Sequence, residues 1–154
     1  MPYNRYLNKV IRTAHLQDDS VTNAKTAHGL PKFLTFLYDF AALGGSAGSL
    51  TMTAEDGTAQ TIPGNAIITN AYAEVETAVT SGGSATVALG IVANTDAFVG
   101  ATAKGSLGAG VVLNTANDLP LKSAVPSTVL ATIATADLTA GKIRLYVEYI
   151  EGQA

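Results

Sequence analysis

The chain has 154 residues, of which 47% are hydrophobic and only 14% charged; its net charge is −3 and it has no cysteine. That length fits one domain of common size, and so low a charge excludes general disorder, which needs many charges and few apolar groups. Disulfide and thiolate chemistry are excluded as well.

Aromatic residues are 6% and Trp is absent, so the core must be built from Val, Ile, Leu and many Ala. Such a core buries little area per residue, and self-association would help it. The sparse charge also implies a surface partly covered by another protein. Charge divides near Gly44. Residues 1–40 hold five of the nine Lys and Arg and both histidines, and sum to +2. The remainder sums to −5 and holds 14 of the 15 glycines. An acidic body repels nucleic acid, and five cations over 40 residues are too dilute for a DNA-binding arm, so no nucleic-acid partner is expected.

The opening Met1-Pro-Tyr-Asn-Arg-Tyr6 lacks the apolar run of a secretory signal. No stretch nears the ~20 apolar residues of a membrane span, so synthesis in a cytoplasm and no membrane partner are expected. Over residues 4–16, Tyr6, Leu7, Val10, Ile11 and Ala14 share one helical face, with Arg5, Asn8, Lys9 and Arg12 opposite. A helix this short is marginal alone and would order against a partner. Residues 17–31 are polar and punctuated, an extended connector. Phe33 to Phe40 reads as a strand with Leu34, Phe36, Tyr38 and Phe40 on one face.

Gly44-Gly-Ser-Ala-Gly48 reads as a flexible break. Beyond it the pattern is all β. Leu50 to Thr53 is a short strand closed by the turn Glu55-Asp56-Gly57, and Gln60 to Ile62 leads into the type II turn signal Pro63-Gly64-Asn65. Ala66 to Thr80 is a long strand with Ile67, Ala71, Ala73, Val75 and Val79 on one face and Asn70, Tyr72, Glu74 and Glu76 on the other. Ser81-Gly82-Gly83 predicts a hairpin into Ala85–Ile91. Over 94–126, Asn94-Thr-Asp96, Lys104-Gly105, Gly108-Ala-Gly110 and Asn117-Asp118 mark loops between short strands near Phe98 and Val111. Thr128 to Ala134 alternates again. Asp137 to Gly141 turns into a last strand with Ile143, Leu145, Val147 and Tyr149 on one face. The expected fold is all-β: an antiparallel β-sandwich or jelly-roll-like body over 44–154, with an extended or partly helical arm and connecting strand over 1–43.

Chemistry is thin. His15 and His28 lie in the arm, without a rigid supporting shell. Gly44-Gly-Ser46-Ala-Gly48 matches a nucleophile elbow in letters, but a strand follows it where a helix should, and no histidine follows Ser46. Glu74 and Glu76 sit about 6.5–7 Å apart on one strand face, a spacing a carboxylate pair can use. That face also carries Asn70 and Tyr72, as a solvent face does. Asp18 and Asp19 beside His15 match no metal-ligand spacing, and Asn94-Thr-Asp96 and Asn117-Asp118 are turn formers before they are calcium ligands. Neither glycine cluster, 44–48 nor 105–110, has the Gly-Lys-Ser/Thr of a phosphate cradle. No catalytic residue, metal or cofactor is expected, and no enzyme.

Three blocks carry a resemblance. Ile62–Ile91, Ala131–Tyr149 and the short Asp19-Ser-Val-Thr-Asn-Ala-Lys25 are similar to stretches of small structural proteins of tailed bacteriophages. They resemble capsid decoration (cement) proteins and related head-fibre proteins of cyanophages and other environmental phages, over a third to a half of the chain. The resemblance implies a virion component with a β-sandwich body, commonly a homotrimer. It would bind the outside of the head at local three-fold positions, with the major capsid protein as partner, and stabilise the shell. It implies no active site. The expected capsid contacts are Tyr3, Arg5, Tyr6, Leu7, Lys9, Val10, Ile11 and Arg12 of the arm. The alternative is a head-fibre or tail-associated protein binding a host surface or glycan, for which Tyr72 and Tyr146 are the candidate exposed aromatics. A glycan-active enzyme using Glu74 and Glu76 is the third reading.

Overall fold

The computed structural model describes residues 30–114 and 118–152. The amphipathic segment 4–16 and the connector up to residue 29 lie outside them. The described strands are β1 (Lys32–Asp39), β2 (Gly48–Thr51), β3 (Thr61–Ile62), β4 (Ala66–Ser81), β5 (Thr86–Ile91), β6 (Asn94–Ala103), β7 (Val112–Leu113), β8 (Leu121–Lys122), β9 (Ser127–Ala134) and β10 (Leu138–Glu151). One helical turn, α1 (Phe40–Leu43), follows β1.

The strands form two five-stranded antiparallel sheets. The first runs β1-β10-β4-β7, with β8 also on β4; the second runs β2-β9-β5-β6, with β3 also on β9. The protein is an all-β sandwich, as its turn-punctuated alternation predicts. β10 shows why it forms: Ile143, Leu145, Val147 and Tyr149 are buried, while Lys142, Arg144, Tyr146 and Glu148 alternate with them on the outer face. The buried residues of β1, β4 and β10 meet Val87, Leu89 and Ile91 of β5, Phe98 of β6, and Val129, Ala131 and Ile133 of β9 in one core. Phe36 and Tyr38 of β1 are among its largest fully buried side chains. The strand pairs with β10 from Lys32 to Asp39. Phe40, read as the strand's last residue, instead begins α1, because the Asp39 carboxylate accepts the Ala41 N–H at 2.9 Å and caps a helical turn.

Several local expectations are corrected. In β4 the buried set is Ala66, Ile68, Ala71, Ala73, Val75 and Val79, so Ile68 and not Ile67 faces the core at the start of the strand. The pairing of β4 with β10 slips between Glu148 and Tyr149, and the bulge at Thr69 inverts the inside-outside phase. The chain leaving Ser81-Gly82-Gly83 does not fold back as a hairpin: β4 and β5 belong to opposite sheets, and β5 pairs with β6 and β9. Glycine turns and alternation serve a corner between sheets as well as a hairpin. Asn94-Thr-Asp96 is not a loop but the start of β6, a ten-residue strand entered from the turn at Val92-Ala93.

Gly44–Gly48 is no flexible break either. Leu138 N–H donates to the Gly45 carbonyl at 2.7 Å, Ala47 N–H to Asp137 Oδ1 at 2.7 Å, and the Tyr38 hydroxyl to the Gly44 carbonyl at 2.8 Å. At Gly45 a Cβ would lie 2.7 Å from both the Leu138 carbonyl and the Phe40 ring, so glycine is there for close approach. In the turn after β3 the left-handed residue is Asn65 (φ 61°), one position later than the Pro-Gly pair implies; Ala66 N–H closes it on the Pro63 carbonyl.

Both Ile62-to-Ala66 and Lys122-to-Ser127 cross between sheets at the end of the sandwich where β1 begins and β10 finishes. The β5–β6 turn lies at this same end, where Val92 N–H donates to the Thr128 carbonyl at 3.3 Å. We call it the proximal end. Its crossovers lock together: Ser123 N–H donates to Ala66 O at 2.8 Å, and Gly152 N–H to Asn65 O at 3.0 Å.

Candidate functional site

The outer face of the first sheet gathers most of the body's polar chemistry. Antiparallel pairing sets Arg144 of β10 opposite Glu74 of β4, Tyr146 opposite Tyr72, and Lys142 opposite Asp39 of β1. A second register slip, between Lys142 and Ile143, leaves Glu76 as the extra residue of a bulge. Its carboxylate reaches Arg144 Nε at 2.5 Å and Lys142 Nζ at 3.2 Å. Arg144 Nη1 in turn meets Glu55 Oε1 at 2.6 Å, from the loop between β2 and β3, and Lys142 lies 3.9 Å from Asp39. Two cations thus tie three carboxylates from separate segments across the sheet.

The electrostatics follow from that geometry. The hydrogen bond from Arg144, assisted by Lys142, holds the Glu76 carboxyl below its usual range against the opposing effect of burial. Glu55 and Glu76 together push the Arg144 guanidinium further up. Tyr72 and Tyr146 stack with ring centroids 5.2 Å apart and planes at 26°. The Tyr146 hydroxyl points to Glu74 Oε2 at 3.4 Å and is raised, first by burial and then by the charge of Glu74.

This arrangement holds strands together more readily than it transfers protons. Of the two carboxylates considered as an acid-base pair, Glu76 is neutralised by two cations and so held ionised, while Glu74 lies 3.4 Å from the Tyr146 hydroxyl. An open depression of about 270 Å³ beside the ladder, between Asp39, Phe40, Thr77, Gly141 and Lys142, holds the Thr77 hydroxyl and the Asp39–Lys142 ion pair. Ser46 lies exposed on the pinned loop, and both histidines fall within residues 1–29. No group of three His, Cys, Asp or Glu among the described residues is placed to hold a metal ion. Asn94 donates to Asp118 at 2.6 Å, joining the start of β6 to the segment before β8. None of the described helices is long and apolar enough to cross a membrane.

The expected arm contacts Tyr3, Arg5, Tyr6, Leu7, Lys9, Val10, Ile11 and Arg12 all lie outside the described residues. Tyr72 and Tyr146, named in the sequence as candidate exposed aromatics, are stacked on each other, and both are half-buried. The Asp39–Lys142–Glu76–Arg144–Glu55 ladder was not legible there. Its members are as much as 105 positions apart in the chain, and only strand order joins them.

No known family's model matches the chain, and no curated protein matches it. Solved structures do. A chain of the acid-stable capsid of Helicobacter pylori bacteriophage KHP30 aligns with a TM-score of 0.56 at 15% identity, over 80% of this chain and 90% of that one. A chain of the cyanophage Pam1 capsid gives 0.55 at 15% identity, over 85% and 97%. One from the capsid of Ralstonia phage GP4 gives 0.59 at 20% identity, over 87% and 90%. Coverage this high in both directions means similar lengths as well as a shared fold, and each of the three comes from a phage capsid.

Proposed function

We propose that this chain is a structural protein of a phage virion that decorates the outside of the assembled head. It binds the major capsid protein as a homotrimer at local three-fold positions and stabilises the shell without catalysing a reaction. The observation that carries the reading is the likeness in fold, over nearly their whole length, to three chains from phage capsids. The resemblance of residues 62–91 and 131–149 to decoration proteins supports it independently. So does an outer sheet face whose charges neutralise one another instead of converging on a cleft.

On this reading the arm, through Tyr3, Arg5, Tyr6, Leu7, Lys9, Val10, Ile11 and Arg12, holds the head, and the body holds the trimer. Ordering the arm costs conformational entropy, which burial of its tyrosines and aliphatics on the shell offsets. Three arms on one rigid body bind a symmetric site far more tightly than one.

The test is co-sedimentation of the purified protein with heads stripped of it. Saturable binding at a copy number matching the local three-folds is expected; absence of binding overturns the proposal. Deleting residues 1–30 should abolish binding and leave the melting of the body unchanged, whereas full binding by that variant would remove the arm from the mechanism. A second reading, a head-fibre or tail-associated protein that binds a host surface or glycan, is favoured by the stacked Tyr72 and Tyr146 on an outward sheet face. It predicts binding to host cells that Tyr72→Ala and Tyr146→Ala weaken.

A further inference from the structure

Large apolar side chains left exposed on the body are few and unevenly placed. Past Leu30, those among the described residues are Phe33, Val92, Val112 and Val125, at 59, 66, 63 and 66% exposure. Val112 lies on β7, midway along the first sheet, opposite Glu74. Phe33, paired with Glu148, shares the outer face of that sheet; the other two belong to the proximal end, Val92 at the β5–β6 turn and Val125 in the crossover from β8 to β9. The opposite end, with the loops at 43–47, 82–85, 104–106 and 135–137, exposes none.

The proximal end is also stiff. The Val125 carbonyl accepts from the hydroxyls of Ser123 (2.8 Å) and Ser127 (3.1 Å), so the crossover is fixed with the valine side chain outward. Ser123 is the one buried polar side chain among the described residues. A Cβ on Gly64 would stand 3.1 Å from the Pro126 ring, so the two crossovers touch with no room between them. Lys32 and Glu151 at this end pair at 2.6 Å, and it also carries exposed Lys122 before the Val125 crossover and Asp118 against Asn94 beside the Val92 turn. A rigid surface with protruding apolar groups loses little entropy on docking. Residues 1–29, outside the described part, precede Leu30 and Pro31, which lead into β1 at this end.

We propose that the proximal end is the face by which the body seats on the head, with Val92 and Val125 entering an apolar patch of the shell surface and the sandwich standing on end. The inference rests on the decoration reading and adds the orientation of the body to it. An arm that grips the shell tethers this end nearest to it. Docking then becomes an intramolecular step at millimolar effective concentration, so that even a small apolar contact adds to binding.

The experiment uses the full chain and stripped heads, with Val92→Asp/Val125→Asp as the test variant, Val92→Ser/Val125→Ser as a milder one, and Val112→Asp as the control. All the substituted side chains are exposed, so the melting temperature should stay near that of the parent. Binding at least tenfold weaker in the aspartate variant, a smaller loss in the serine variant and parental binding by Val112→Asp are expected. Parental affinity in the aspartate variant overturns the orientation while leaving decoration intact. A loss of self-association in that variant, measured by light scattering without heads, also overturns it by assigning the end to contacts between copies. If the parent chain itself does not bind heads, both readings fall.

Discussion

Gly90 is so close to the returning strand that a Cβ there would meet the Asn94 carbonyl oxygen, the Thr95 carbonyl carbon at 2.5 Å and the Asp96 nitrogen at 2.7 Å. All three are backbone atoms and cannot rotate away. Gly90→Ala is therefore expected to cost about 3 kcal/mol, the upper part of the range for overpacking. Gly82→Ala, with open space around it, should stay within about 0.5 kcal/mol of the parent. Urea midpoints of the two variants check this. Two ionisable residues predict how stability varies with pH. Burial, with help from Asp39, pushes the Tyr38 hydroxyl up to about 12. Its contribution is complete below the unfolded value of about 10 and is lost as pH rises from there through 12, so Tyr38→Phe should flatten the alkaline limb of the stability curve. The Glu76 carboxyl is lowered, which has the opposite sense: its contribution is complete above the unfolded value of about 4.3 and is lost as pH falls through the lower folded one. Glu76→Gln should melt below the parent at neutral pH, and the gap should close in acid.

Among the elements, β1 has a testable role, since it puts Phe36 and Tyr38 into the core. Truncation of a buried aromatic costs about 3–5 kcal/mol, so a chain beginning at Phe40 should show no cooperative melting by circular dichroism, while one beginning at Pro31 should melt like the parent. The element types were largely legible in the sequence, because alternation is a local property: β9 and β10 bury the faces their spacing predicts. Pairing was not. The bulges at Thr69 and Glu76 arise from register against β10, which β4 alone does not encode, and the first of them inverted the inward face expected near Ile67. Glycines at 82 and 83 signalled a reversal without saying which sheet would receive the chain. The looplike letters of 94–96 gave way to pairing with β5 and to the buried Ala97, Phe98 and Val99 that follow. The candidate site suffered most, since its ion-pair ladder exists only once four segments distant in sequence lie side by side.

At the scale of the whole molecule, decoration makes a thermodynamic demand that the shell itself reports. A protein that binds only the assembled head, and not dissociated subunits, stabilises the head by mass action: about 2.7 kcal/mol per site when the free protein stands at one hundred times its dissociation constant. Stripped heads should disassemble at a lower temperature than heads carrying the chain, and adding the protein back should restore the higher temperature in a concentration-dependent way. Differential scanning calorimetry of the heads reads both. The same measurement separates the two attachments proposed for one subunit. Deleting residues 1–30 removes the tether, so restoration should fail at any practical concentration. Val92→Asp/Val125→Asp keeps the tether and weakens only the seat, so restoration should return at roughly tenfold higher protein, the factor expected in co-sedimentation. A head that melts at the same temperature with and without saturating protein would leave a bound ornament with no stabilising role, and would move the function toward host contact through the outer sheet face of Tyr72 and Tyr146.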